Sequence, residues 1–212
     1  MPIKHHPSDD LLSDFAGGRL DAGMTLAVAT HLENCPVCRR IVHALDHAAG
    51  DALEATLPVA MSADAGERIA RMLDQPSLAK ARLPSQPSES WLPAAARRYD
   101  RASWKWVAPG VSMQPILLPK TSKTRAFLLK SAKGTSMLQH THSGIEITCV
   151  LRGSFSHEGG VFQPGDFDFG DDSVDHQPAV GGGEDCICLV AMTGDLRLKG
   201  LLGRLVQPFI RL

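Results

Sequence analysis

The chain has 212 residues, 43% of them hydrophobic, which is enough for one large or two small domains, and two domains are the better starting hypothesis. The formal net charge of −1 conceals uneven blocks: residues 1–75 carry 11 acidic and 6 basic side chains, residues 76–133 carry 2 and 11, and residues 134–195 carry 10 and 1. No stretch approaches the ~20 apolar residues that cross a bilayer and the N-terminus lacks the apolar run of a signal peptide, so we expect a cytoplasmic protein without a membrane partner.

Four helices are predicted within the first 75 residues. Ser8 can cap a short first helix, and Asp21 can cap a second. Pro36 opens a third helix, because proline is tolerated in the first turn, and a fourth begins near Ser62. Leu11, Leu12 and Phe15 form an apolar stripe on the first helix, and Met24, Val28, His31 and Cys35 share one face of the second. On the third helix the predicted inward residues are Cys38, Ile41, Val42, Leu45 and Leu53, and the fourth helix carries Ile69, Met72 and Leu73.

A change of composition marks the domain boundary. Residues 76–93 are rich in proline, serine and alanine, which is typical of a linker. Beyond Trp104 the chain shows five short apolar runs separated by turn residues, which predict an all-β domain: 114–118, 125–130, 145–151, 153–157 and 185–192. We therefore predict an α+β protein of two domains, with a helical domain over 1–80, a linker over 81–99, a β-barrel domain over 100–195 and a tail over 196–212 that is a strand, a short helix or a partner-binding segment.

The five cysteines indicate metal or redox chemistry rather than disulfides. They form a Cys-x-x-Cys pair (Cys35 and Cys38), a single Cys149 and a Cys-x-Cys pair (Cys186 and Cys188), which is an odd number in a poor disulfide framework.

A first candidate zinc site is predicted where the second helix meets the third. His31-x3-Cys35-x2-Cys38 places an imidazole and two thiols at one turn, and zinc favours four such ligands. The fourth ligand can be His5 or His6, at the foot of the first helix. Two alternatives are a thioredoxin-like redox pair and two inert buried thiols.

The residues around this site, ATHLENCPVCR, resemble the zinc-binding anti-sigma domain of bacterial regulators of extracytoplasmic-function σ factors. The resemblance covers about the first third of the chain. It implies the ligands His6, His31, Cys35 and Cys38, and a three-helix bundle. It also implies a fourth helix that packs against the σ factor and blocks its surfaces for RNA polymerase.

A second candidate metal site lies in the β domain. Residues 134–153 read G-x5-H-x-H-x3-E-x6-G, which resembles the first motif of the cupin superfamily, and a weakened second motif places His176 at its ligand position. On a strand, His140 and His142 face the same side, and Glu146 returns to that side from the next strand. These ligands, His140, His142, Glu146 and His176, suit zinc or another divalent transition metal.

Other polar and sulfur side chains are interpreted more simply. We expect His43 and His47 to be exposed, and Cys186 and Cys188 to lie in the barrel core or beside the metal. A cluster of carboxylates is interpreted as solvated loop charge: Asp166, Asp168, Asp171, Asp172 and Asp175. Without a nucleic-acid-binding motif, the basic middle segment is interpreted as linker charge with no direct nucleic-acid partner: Arg97, Arg98, Arg101, Lys105, Lys120, Lys123 and Arg125.

Taken in order, the two motifs resemble the ChrR family of anti-sigma factors over nearly the whole chain. The resemblance implies a non-enzymatic protein whose N-terminal domain inhibits an extracytoplasmic-function σ factor. It also implies that the cupin domain mediates release under oxidative stress such as singlet oxygen, and that each site usually holds zinc. The alternative is a metal-dependent cupin enzyme, dioxygenase-like, with an N-terminal targeting domain.

Overall fold

The structure, a computed structural model, describes residues 2–75 and 91–199. It confirms the four predicted helices: α1 Asp9–Ala16, α2 Ala22–Asn34, α3 Pro36–Glu54 and α4 Ala65–Leu73. The predicted caps also form, because the Ser8 side chain accepts a hydrogen bond from the Leu11 N–H and Asp21 accepts from the Gly23 and Met24 N–H groups. Within the described residues there is no helix long and apolar enough to cross a membrane.

The β region forms three antiparallel sheets after a short 3-10 helix, Ala96–Arg98. The strands are β1 Lys105–Ala108, β2 Val111–Ile116, β3 Arg125–Ser131, β4 His140–His142, β5 Glu146–Arg152, β6 Phe155–His157, β7 Gly160–Phe162, β8 Phe167–Gly170, β9 Ala179–Val180, β10 Cys186–Met192 and β11 Leu196–Leu198. The six-stranded sheet has the order β1-β2-β3-β10-β5-β8, and the smaller sheets have the orders β11-β4 and β7-β6-β9. The five predicted runs correspond to β2, β3, β5, β6 and β10.

The helical and β regions share one core. Helix α2 lies against β5 and β10, and its Leu26, Ala27 and Val28 are at most 2% exposed. They belong to the same buried cluster as Ile147 and Leu189 of the sheet. Because α2 is apolar on more than one side, it packs between the other helices and the sheet.

Two stretches differ from the predicted packing. Leu53, predicted to face inward, is 72% exposed, and all residues of the last turns of α3, from 46 to 54, are exposed as well. In the predicted linker, Leu92 and Ala96 are buried, and the Glu33 carboxylate accepts the N–H groups of Ala94 and Ala95 at 2.9 and 2.7 Å. This part of the segment therefore packs on the helical region. Residues 76–90 and the tail beyond 199 lie outside the described residues.

Asp21 ties the start of α2 to the β region. One carboxylate oxygen caps α2, and the other accepts the N–H groups of Lys123 and Thr124 and the Thr124 hydroxyl at 2.7–3.0 Å. We expect Asp21→Ala to lower the free energy of unfolding by about 2 kcal/mol, since it removes a helix cap and leaves buried donors unpaired. Urea unfolding of the full chain measures this loss.

Asp14→Ala is the matched control for Asp21→Ala. Asp14 is half-exposed and pairs with the exposed Arg19, so its loss should change the free energy of unfolding by no more than about 0.5 kcal/mol. Equal effects of the two substitutions would contradict a bridging role for Asp21.

Two candidate metal centres

The first cluster forms where three helix ends meet. His6 precedes α1, His31 lies near the end of α2, Cys35 separates α2 from α3, and Cys38 is in the first turn of α3. Their ligand atoms all lie within 4.8 Å of one another. The individual separations are 3.3 Å from His31 Nε2 to Cys38 Sγ, and 3.4 Å from His6 Nδ1 to each Sγ.

These separations fit zinc. Tetrahedral zinc with ordinary bond lengths places neighbouring nitrogen and sulfur ligands about 3.6 Å apart. The His31 Nδ1 lies 2.8 Å from the Gly165 carbonyl, so Nδ1–H donates a hydrogen bond to that oxygen. The Nε2 atom then carries a lone pair, which faces the thiols. Burial lowers the pKa of His31, which keeps the ring neutral, and it raises the pKa of the Cys38 thiol to about 12. An empty site would therefore hold Cys38 as a thiol, and metal binding would displace its proton.

Geometry also distinguishes the two neighbouring histidines. The His5 ring packs at a tilt against Phe162 with ring centroids 4.2 Å apart, whereas His6 Nδ1 lies 3.4 Å from both sulfur atoms. The structure thus brings His6 into the cluster, as the family resemblance implied.

The second cluster lies inside the β region. His140 and His142 stand on β4, and His176 comes from the loop before β9. His176 Nε2 lies 3.0 Å from His140 Nε2 and 3.4 Å from His142 Nε2. Glu146, the first residue of β5, places its Oε2 3.2 Å from His142 Nε2. The ligand nitrogens of the three histidines all lie within 4.8 Å of one another, and Glu146 borders this group through its contact with His142.

Three imidazole nitrogens at this spacing suit a cation. Ligands of tetrahedral zinc lie about 3.3 Å apart when both are nitrogen. Burial lowers the pKa of all three rings, and neighbouring histidines help to lower that of His176 to about 4, so their lone pairs are free of protons near neutral pH. The His140 Nδ1 donates to the Leu138 carbonyl at 2.7 Å, which directs its Nε2 into the cluster. The donor set fits several divalent metals and does not select one.

A cavity of about 740 Å³ adjoins this second cluster, and apolar side chains form most of its wall. Cys186 and Cys188 lie in the wall, buried in the core, with their sulfur atoms 3.6 Å apart. They are core residues, as the first of the two interpretations has it, and they line the cavity that reaches the second cluster.

The carboxylate prediction was wrong for the first two members of that group. Asp166 is 2% exposed because its oxygens accept backbone N–H groups from Lys4, His5 and Gln163. Asp168 is partly buried on β8 and accepts a hydrogen bond from His157 at 2.9 Å. Asp171 and Asp175 lie nearer the surface, as expected.

The sequence did not identify His157 as a candidate residue. Its side chain, Asp168 and His176 form a third group of potential ligand atoms within 4.8 Å, so His176 borders two clusters. The bond to Asp168 raises the pKa of His157 despite burial. No spacing rule places His157 there, because β6 and β8 bring it together with Asp168 only in the folded chain.

The described part of the molecule also exposes a run of apolar side chains around α4. Ile69, Met72 and Leu73 are 53%, 69% and 80% exposed, and the preceding Leu57 and Val59 are 89% and 88% exposed. Spacings of three and four place the α4 residues on one helix face. An exposed apolar face of this kind marks a surface for a partner. By contrast, His43 and His47 are exposed polar residues, as predicted.

The fold and its two clusters define a class of protein, in which a small helical region with a Cys/His centre precedes a cupin-like β domain with a histidine centre. A zinc-finger family model matches residues 8–39, and the model of the ChrR cupin-like domain matches residues 94–194. The chain is 37% identical to the anti-sigma-E factor ChrR of Cereibacter sphaeroides over 100% of both chains. The chain belongs to the ChrR family of anti-sigma factors.

A solved structure is also similar over nearly the whole molecule. It is the crystal structure of Rhodobacter sphaeroides SigE in complex with the anti-sigma ChrR, where the matching chain has a TM-score of 0.73 and 35% identity. The match covers 90% of this chain and 99% of that chain. The cupin-like fold is thereby confirmed, and the relationship is to a regulatory protein rather than to an enzyme.

Proposed function

We propose that this protein binds and inhibits an extracytoplasmic-function σ factor in the cytoplasm, and that its cupin domain mediates release in response to oxidative stress such as singlet oxygen. One observation carries the proposal: the chain matches the anti-sigma-E factor ChrR over its full length, and 90% of it matches a ChrR chain that was solved in complex with SigE. The apolar face of α4 supports it, because nothing in the described residues covers that face.

We propose zinc for the first centre and zinc or another divalent metal for the second. The first would be held by His6, His31, Cys35 and Cys38, and the second by His140, His142, Glu146 and His176. A zinc ion at the first centre would cross-link the segment before α1 to the α2–α3 turn. This cross-link matters because α1 has only 8 residues and the helices share most of their core with the sheet.

The two centres should differ in how strongly zinc affinity depends on pH. At the first centre, binding displaces a proton from Cys38, whose pKa is raised to about 12, so zinc affinity should rise about tenfold per pH unit for each such proton between pH 6 and 8. At the second centre, affinity should change much less with pH above pH 7, because burial lowers the pKa of all three imidazoles. Competition with a chromophoric chelator at several pH values measures both affinities.

Two variants separate these measurements. Cys38→Ser leaves the second centre as the main site, and Glu146→Gln in that background removes the carboxyl whose pKa burial raises. In this double variant, zinc affinity should be almost independent of pH between pH 7 and 8. A slope as steep as that of the first centre would contradict neutral imidazoles.

Run-off transcription tests the proposed function. The full chain would be co-expressed with a candidate σ factor, and the purified complex illuminated with a photosensitiser that generates singlet oxygen. We expect inhibition in the dark and recovery of transcription in the light. His140→Ala combined with His142→Ala should inhibit equally in the dark but recover little. A chain that loads zinc yet neither binds nor inhibits the σ factor would overturn the proposal, and equal recovery by the variant would overturn the role of the cupin domain.

A further inference from the structure

The N-terminal segment before α1 runs along one turn of the β region, residues 163–167. The N–H groups of Lys4 and His5 donate to Asp166 Oδ1 at 2.7 and 3.1 Å, and the Phe167 N–H donates to the His5 carbonyl at 3.1 Å. Asp166 Oδ2 accepts the N–H of Gln163 at 2.8 Å. Both carboxylate oxygens are thus used, and hydrogen bonds to a charged acceptor are among the stronger ones in proteins.

The same turn contacts α2. The carbonyl of Gly165 accepts the hydrogen bond from His31 Nδ1 at 2.8 Å, in a buried position. The approach is close, since a β-carbon at Gly165 would lie 2.7 Å from the Ile3 side chain, and the φ of Gly165 is +92°. This position therefore requires glycine.

Both imidazoles of the first centre are consequently oriented by the β region. His31 is held directly by Gly165. His6 is held through the preceding residue, His5, because the His5 N–H donates to Asp166 and the His5 carbonyl accepts from the Phe167 N–H. Hydrogen-bond partners of metal ligands typically change metal affinity by 10–100-fold when they are removed.

The turn also leads to the second centre. Two residues after Asp166, Asp168 accepts the hydrogen bond from His157 at 2.9 Å, and the His157 ring lies 5.2 Å from that of His176, measured between centroids. One short stretch of chain, residues 163–168, thus contacts the segment that holds His6 of the first centre, His31 of the same centre, and also His157, which lies beside His176 of the second.

We propose that Asp166 is a positioning residue for the first metal centre, and that the 163–167 turn couples zinc occupancy at this centre to the conformation of the cupin domain. The proposal rests on the proposed zinc site. Energetic coupling of this kind is reciprocal: if the turn raises zinc affinity, bound zinc must stabilise the turn. Through this contact, the zinc affinity of the helical region would then depend on the conformation of the cupin domain.

Cobalt(II) loading of the full chain tests the positioning role. Thiolate-to-cobalt absorption reports the first centre alone, because the second has no sulfur ligand among its predicted four. Titration against a chelator should show about 10–100-fold weaker binding for Asp166→Ala. Asp166→Asn should restore part of the affinity, since its carbonyl oxygen can still accept the N–H groups of Lys4 and His5. Asp185→Ala is the matched control, because Asp185 also accepts a backbone N–H but lies at the surface.

Hydrogen exchange tests the coupling. Removing zinc from the parent chain should speed amide exchange in peptides covering residues 163–167, and this difference should disappear in Asp166→Ala. The proposal would be overturned if both Asp166 variants bound cobalt with an affinity within twofold of that of the parent chain. It would also be overturned if amide exchange in the turn were the same with and without zinc. Absence of the thiolate band in the parent would overturn the zinc site itself, and this proposal with it.

Discussion

Cys38→Ser is expected to abolish zinc binding at the first centre and, with it, inhibition of the σ factor. Cys38 is 1% exposed, and its sulfur lies within 3.4 Å of both ligand nitrogens. A serine hydroxyl is a poor ligand for zinc beside a thiolate. If the four ligands share the roughly 10–16 kcal/mol of a structural zinc site equally, losing one costs about 2.5–4 kcal/mol, which is about 70- to 900-fold in affinity. Zinc content by atomic absorption and run-off transcription are the measurements.

Cys149→Ser separates loss of the metal from loss of a buried thiol. Cys149 is fully buried in the shared core but outside both clusters, so this substitution should lower stability while leaving zinc content and inhibition intact. If Cys38→Ser retained zinc with parental affinity, the assigned ligand set would be wrong.

The parts of the fold that the sequence predicted are those that depend on short-range spacing. Helix caps at Ser8 and Asp21 act on N–H groups two or three residues away. His31, Cys35 and Cys38 lie at one helix junction, and His140 and His142 lie on one strand. Such geometry follows from the repeat of a helix or a strand alone.

Contacts between distant parts of the chain were not predicted. Asp166 accepts hydrogen bonds from Lys4 and His5, which are more than 160 residues away in sequence. From the sequence alone, such an aspartate is predicted to be a solvated loop residue, because its hydrogen-bond donors are not nearby in the chain. The strands β7, β8 and β9 have 3, 4 and 2 residues, too few to show alternation.

The shared core did leave a signal in the sequence. Helix α2 buries Leu26, Ala27 and Leu32 in addition to the predicted Met24 and Val28. A helix that is apolar on nearly every side is typical of one packed between two layers, whereas a single stripe predicts contact with one layer. The two-domain pattern of motifs therefore describes where the metal sites lie, but not where the core divides.

Ile69→Asp is expected to weaken σ-factor binding by about 30-fold or more without unfolding the chain. Ile69 is 53% exposed on the apolar face of α4, and a residue at the centre of an interface that acts as a hot spot contributes about 2 kcal/mol or more. Because the face is exposed in the free protein, the free energy of unfolding should change by no more than about 0.5 kcal/mol. Met72→Asp, on the same face and 69% exposed, should behave alike. Surface plasmon resonance and urea unfolding provide the two readouts.

Arg71→Asp is the matched control, because it places the same side chain on the opposite face of α4. Arg71 is exposed and lies 3.8 Å from Glu67, so only a weak surface ion pair is lost. Its σ-factor affinity should stay within a few-fold of the parent. Equal weakening by Arg71→Asp and Ile69→Asp would indicate that α4 as a helix, rather than its apolar face, determines binding. Unchanged binding by Ile69→Asp and Met72→Asp together would place the σ-factor surface elsewhere on the molecule.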